Sequence, residues 1–270
     1  MKKANVMKSY KQQTQKSVSS FEWQWVEKKV KDSRKNFYRR LFRDIGIYTS
    51  YFDNKVVGYF GSGGGRHVWA INELSNPKKI ISVELAERSI AFQKSYLNSK
   101  KIEIIKGDMA TINVKLDFLY LVGVIQHTSS IEKTLKNALN CLNPGGELVV
   151  SFYLWTPATI ILEPIRQIMK RVPKKLAWFF SFFLAPIYML RKAGRESGYM
   201  NAVHTAYDWN GSHQYQHYMT RKKIELLFKK LGINESDIIY LKSKGLYRIK
   251  KHFDNDNLKF DSKYFVFGDV

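Results

Sequence analysis

From Lys55 onward, short apolar runs of strand length alternate with helix-like segments, and this alternation narrows the possible folds more than any other feature. Val56–Phe60 reads as a strand, followed by Gly61-Ser62-Gly63-Gly64-Gly65 and a helix over Arg66–Leu74. Ile80–Glu84, Ile102–Lys106, Leu116–Val122 and Glu147–Tyr153 read as further strands. Helices run to about Leu97 and over Ile131–Leu142, and Asn143-Pro144-Gly145-Gly146 reads as a turn. Strands joined through helices need crossover connections, so the pattern predicts an α/β fold with a parallel sheet and helices on both faces.

The flanking segments obey other rules. Residues 21–51 carry apolar and aromatic side chains between cations and read as helix with an apolar side. Past Trp155 the alternation stops. Residues 156–219 form a helical insertion containing Leu176–Leu190, interrupted only by Ser181 and Pro186 as non-apolar members. Thr220 reads as an N-cap for a helix over Arg221–Leu231, with Gly232 as its stop. Asp237–Leu241, Leu246–Lys250 and Tyr264–Phe267 are candidate strands to finish the sheet. The expected organisation is a basic, aromatic N-terminal arm (1–52), a ligand-binding core (53–155), the insertion (156–219) and a C-terminal completion of the core sheet (220–270).

With 44% hydrophobic residues in 270, the chain can bury a substantial core, which excludes wholesale disorder. The single cysteine, Cys141, excludes a disulfide framework and a zinc cluster, and no metal site is expected. No apolar run reaches the roughly 18 residues of a membrane span, and no secretory leader is evident, so a cytoplasmic protein is expected. Lys+Arg 45 against Asp+Glu 23 gives a net charge of +22, mostly from Lys. An excess of that size permits contact with nucleic acid or an anionic membrane. Arg, the residue that forks onto phosphate, is the minority, so nucleic acid is the less favoured partner.

A glycine cluster between a first strand and a helix lets a ligand approach the backbone at a positive helix terminus. A P-loop would require Gly-Lys-Ser/Thr where this chain has Arg66-His67. A dinucleotide fingerprint would require glycine where Arg66 stands. Glu84 closes the second strand, where a carboxylate can accept both hydroxyls of a ribose. Asp108 closes the third, with apolar Met109 behind it, and the fourth runs into Leu121-Val122-Gly123-Val124-Ile125-Gln126-His127-Thr128. All fall at strand C-termini, the edge at which open α/β sheets bind ligands.

On these landmarks, residues 54–153 resemble the core of the class I S-adenosylmethionine-dependent methyltransferases. The resemblance implies a Rossmann-like, seven-stranded, mostly parallel sheet flanked by helices, with S-adenosyl-L-methionine as cofactor. It implies that Gly61, Ser62, Gly63 and Gly65 hold the methionine portion, Glu84 the ribose, Asp108 and Met109 the adenine, and that Val122, Gly123 and Val124 form the floor beneath the donor. The family usually carries an acid two residues before the first glycine, where it helps hold the donor's ammonium group; this chain has Tyr59. The segment with Trp23 and Trp25 is similar to an aromatic lid that closes over the cofactor in some members.

The resemblance implies a methyltransferase, with O-methylation of a small molecule, sugar or lipid-linked saccharide as the expected reaction. Alternatives are an RNA methyltransferase using the basic arm and a non-catalytic binding protein with a degenerate donor site. Candidate catalytic groups are His127, Asp208 and His217, and Tyr207 and His213 are candidate substrate contacts. The Leu176–Leu190 segment, flanked by Lys174, Lys175, Arg191 and Lys192, reads either as a buried cap over the acceptor pocket or as a peripheral contact with the inner face of an anionic membrane.

Overall fold

The computed structural model describes residues 34–190, 198–207, 209–210, 215–241 and 245–251. Trp23, Trp25, Asp208, His213 and the candidate strand Tyr264–Phe267 lie outside these residues. The core is a seven-stranded sheet. Five strands, β1 (Val56–Phe60), β2 (Lys79–Glu84), β3 (Ile102–Lys106), β4 (Leu116–Leu121) and β5 (Leu142–Ser151), run parallel to one another. Two short strands, β6 (Tyr153–Leu154) and β7 (Tyr218–Met219), form a separate parallel pair. β8 (Ile238–Leu241) and β9 (Leu246–Lys250) then complete the main sheet as an antiparallel hairpin on β5, in the order β3-β2-β1-β4-β5-β9-β8.

Side chains alternate across the sheet with the period of two that an extended chain imposes. Phe60, Leu119, Leu121, Leu148 and Val150 face one layer, where α4 (Ile131–Asn140) contributes Leu135 and Leu139, and α8 (Arg221–Lys230) contributes Ile224 and Phe228. Val57, Tyr59, Phe118, Tyr120 and Val149 face the other, covered by α1 (Lys35–Asp44) and α2 (Arg66–Leu74) through Phe42, Val68 and Ile71. With both faces covered, the central strands read as near-continuous apolar runs, the reason they are visible in sequence. Each fully buried ring or branched side chain here contributes roughly 1.5–3 kcal/mol relative to exposure. A further helix, α3 (Glu87–Lys94), follows β2.

The structure departs from the sequence reading in two places. The segment read as helix over 21–51 is, in its described part, helical only over α1. The chain turns at Gly46, and Thr49–Phe52 form a single 3-10 turn that buries Phe52. Asn143–Gly146 is not a free turn but part of β5. Leu142 pairs with Leu116 across a bulge, and Gly145 N–H donates to Lys251 O at 2.7 Å. Long-range ladder bonds to β4 and past β9 override the local turn preference.

The insertion holds three described helices, α5 (Pro157–Met169), α6 (Lys174–Met189) and α7 (Tyr199–Tyr207). Thr156 caps α5 by accepting from Thr159 N–H, with Pro157 at the first helical position. Small side chains let α6 and α7 pack closely: Ala185, Ala202, Val203 and Ala206 form their common core with Leu162 of α5 and Tyr188.

One ion pair ties the N-terminal segment to the sheet. Arg248 Nε on β9 lies 2.5 Å from Glu147 Oε2 on β5, its Nη1 donates to Gly46 O at 2.9 Å, and its guanidinium lies over the Tyr51 ring. Both side chains of the pair are largely buried, so removing one strands the other. Arg248→Met is expected to destabilise the protein by about 2–4 kcal/mol in urea unfolding. Adding Glu147→Gln should cost less than the two single effects summed, because the orphaned charge goes with it.

Candidate functional site

The C-terminal ends of β1, β2, β3 and β4 open into one cavity of about 510 Å³. Of the residues singled out from sequence, Tyr59, Gly61, Ser62, Gly63, Glu84, Asp108, Met109, Val122, Gly123, Val124 and His127 line it. Gly65 does not: it lies behind the loop, packed against Gln93 and Leu97. Tyr207 sits in the core of the insertion beside Trp178, and His217 lies under the loop that carries His127. No lining residue comes from α5, α6 or α7, so the reading of Leu176–Leu190 as a cap over this cavity has no counterpart among the described residues.

The glycine loop is rigidly supported. Gly61 adopts φ +65°, and a Cβ there would lie 2.3 Å from Val124 Cγ1, so only glycine lets β1 and the β4 loop approach this closely. Gly61 and Ser62 N–H both donate to Val83 O. The Glu84 carboxylate closes the arrangement: Oε2 accepts from Gly63 N–H at 2.7 Å, and Oε1 accepts from Leu85 and Ala86 N–H at 2.8 and 3.0 Å. A carboxylate has about four lone-pair sites, so capacity remains for one hydroxyl donor. From beneath, the buried Gln93 of α3 donates through Nε2 to Ser62 Oγ and Gly63 O, while its Oε1 accepts from Ser82 at 2.6 Å.

At the position of the expected acid, the structure has a neutral wall. Tyr59, His67 and Tyr120 stack mutually, with centroids 5.1–5.2 Å apart, and Tyr38 of α1 meets His67 edge-on. Tyr59 Oη lies 3.3 Å from His67 Nδ1. Burial, reinforced by neighbouring Arg66, pushes His67 down to about 4, and burial pushes Tyr59, Tyr120 and Tyr38 up, so all four are uncharged at neutral pH. Sequence reasoning missed His67, Tyr38, Tyr120 and Gln93. Single aromatic or polar residues on separate elements leave no local pattern.

His127, also in the lining, ends a 3-10 turn over Ile125–His127. Its Nδ1 lies 2.9 Å from Tyr215 O, and since a carbonyl only accepts, Nδ1 carries the proton and Nε2 the basic lone pair. His217 braces this loop from behind: its backbone N–H donates to Gln126 O and its Nε2 to Thr128 O at 3.0 Å, and burial lowers its pKa. Tyr153 meets His127 edge-on and stacks flat on Trp209, linking the loop to the segment after α7. Cys141 is buried, its thiol pKa raised by burial, and it lies outside the cavity lining. Among the described residues no group of three or more His, Cys, Asp or Glu could hold a metal ion.

Two observations test the cavity against S-adenosylmethionine. The Ser89 and Ser129 hydroxyls, both among the lining residues, are buried without hydrogen-bond partners, as expected where a polar ligand completes the site. The donor set also suits it, with carboxylates at two strand ends, apolar Met109 beside one of them, and uncharged aromatic rings and Arg66 in the same lining. The residues present fit the group.

The strand order, the glycine loop after β1 and the acids closing β2 and β3 resemble those of a class I methyltransferase domain. Residues 59–150 match the methyltransferase-domain family, to which this part of the chain is similar, and the residues lining the cavity fit S-adenosylmethionine. A tRNA U34 carboxymethyltransferase from Campylobacter fetus is 28% identical over 117 residues, 41% of this chain and 41% of that protein, so the likeness spans under half of the relative's length. Among solved structures, PKMT2 from Rickettsia typhi aligns with 77% of this chain and 44% of its own, at 17% identity and a TM-score of 0.49. An amino pentose methyltransferase from Micromonospora echinaspora aligns with 49% of this chain and 54% of its own, at 20% identity and a TM-score of 0.37.

The buried neutral imidazole has a measurable consequence. A histidine whose folded pKa of about 4 lies below its ordinary 6.5 stabilises the fold fully above pH 6.5 and loses that contribution as pH falls toward 4. Between those pH values the unfolding free energy of the parent protein is expected to drop by up to roughly 3 kcal/mol more than that of His67→Phe. Urea titrations at stepped pH measure the difference.

Proposed function

We propose that this chain transfers a methyl group from S-adenosylmethionine to a hydroxyl oxygen of a small molecule, sugar or lipid-linked saccharide. The observation that carries this reading is His127, whose basic Nε2 is set by the Nδ1–Tyr215 contact in a cavity shared with the glycine loop. When bound, the cofactor supplies a methyl group already activated by its sulfonium. Glu84 would accept from the ribose, Asp108 and Met109 would meet the adenine, and the Gly61–Gly65 loop would hold the amino-acid end. Arg66 would face the carboxylate, and the Tyr59–His67–Tyr120 wall would offer π faces to the ammonium, which lowers its cost of burial. With the donor's methyl group passing to the acceptor oxygen, His127 Nε2 would take the hydroxyl proton. Alignment of acceptor and donor supplies most of the acceleration and the base a further share.

A second reading, an RNA acceptor, is favoured by the relative named for tRNA and by the +22 charge. A salt-sensitive mobility shift of RNA at physiological ionic strength distinguishes it from a small acceptor.

The deciding experiment mixes the protein and donor with fractionated host extract and follows mass. A component that gains one methyl group only when donor is added supports the reading, and calorimetry showing no heat with the donor removes it. Within an active preparation, His127→Gln is expected to lower kcat by roughly 10²–10⁴ while leaving donor affinity unchanged. An unchanged kcat would eliminate the base. Glu84→Ala should do the reverse, weakening donor binding by calorimetry on the order of tenfold or more, because it removes both the ribose acceptor and the clamp on Gly63.

A further inference from the structure

We propose that the outward faces of α5 and α6 form a docking surface for an anionic lipid bilayer. On α6, Ala177, Ser181, Ala185 and Tyr188 are buried within the insertion, and beyond Lys174 and Lys175 at its start the helix carries no charge. Leu176, Phe179, Phe180, Phe183, Ile187 and Leu190 succeed one another at helical spacing along it, Phe183 being 67% and Leu190 78% exposed. α5 repeats the arrangement, burying Leu162 and Met169 while Ile160, Ile161 and Ile168 are 60–70% exposed. Isolated exposed apolar residues are ordinary, whereas two helices whose outward sides are both apolar mark an interaction surface.

Charge selects the occupant. Residues 164–195 contain eight Lys or Arg and no Asp or Glu. Arg171, Lys174 and Lys175 are exposed around the turn that joins the two apolar faces. An apolar helix face rimmed by cations is the pattern of a helix lying in a membrane interface, with ammonium groups at anionic headgroups and rings at the acyl boundary. The helices lie on this surface rather than traverse it: among the described residues no helix is long and apolar enough to cross a membrane. The inference is independent of the acceptor assigned above.

Vesicle flotation of the full chain tests it, with phosphatidylcholine alone and with about one third phosphatidylglycerol. The parent protein is expected to float with the anionic vesicles and not with the neutral ones. Phe179→Ser combined with Phe183→Ser, and separately Lys174→Gln combined with Lys175→Gln, are each expected to reduce binding on the order of tenfold, with donor binding unchanged as a control on folding. Ile161→Asn with Ile168→Asn provides the same test on α5 should the phenylalanine variant not fold. Three results would overturn the proposal: no flotation, flotation indifferent to the apolar substitutions (adsorption through net charge alone), or a dimer in solution that the same substitutions dissociate.

Discussion

The site depends on one carboxylate making three hydrogen bonds to backbone amides. Glu84 takes Gly63 N–H on one oxygen and the N–H groups of Leu85 and Ala86 on the other, so the end of β2, the glycine loop and the approach to α3 share one anchor. Charge-assisted hydrogen bonds of this kind are roughly twice as strong as neutral ones. They hold the loop in a conformation that its glycines permit without specifying. Gln93 secures the same loop from the core side, so the backbone is fixed before a ligand arrives. Such preorganisation spares binding the entropy of ordering a glycine-rich segment.

The fold was legible in the sequence wherever a side-chain pattern follows from backbone geometry. Strands buried on both faces leave apolar runs, so β1, β2 and β4 were readable, while the half-exposed edge strand β3 was readable from its isoleucines, and Glu84 and Asp108 stand just where such runs end. What could not be read depends on residues brought together from separate elements. Tyr38 on α1, Tyr59 on β1, His67 on α2 and Tyr120 on β4 meet around one imidazole, and none has a local signature. The β5 start misled for the opposite reason: Asn-Pro-Gly-Gly is a strong local turn signal, yet pairing with Leu116 and Lys251 places it in the sheet. The all-apolar segment near Phe180 was ambiguous because composition reveals how apolar a helix is but not which of its sides is covered.

The insertion and the cavity are physically continuous, although none of the described insertion helices lines the cavity. Tyr153 lies between them, its ring against His127 on one side and flat on Trp209 on the other. His217 and Tyr215, from the chain returning to α8, hold the same loop through backbone contacts. The orientation of the His127 imidazole is therefore set largely by residues at the C-terminal end of the insertion, which is why a core-only reading of residues 59–150 would contain the histidine without the groups that orient it.

Gly123 offers a handle of a different kind. It adopts φ +75°, yet a Cβ built on it would meet nothing within 4 Å, so the backbone angle and not crowding is what disfavours a larger residue. Asparagine tolerates that angle better than other side chains do. Placed there, it would project from the cavity wall into open space and reduce the room left within it. The cavity could thus be narrowed at one position without disturbing the framework that supports it.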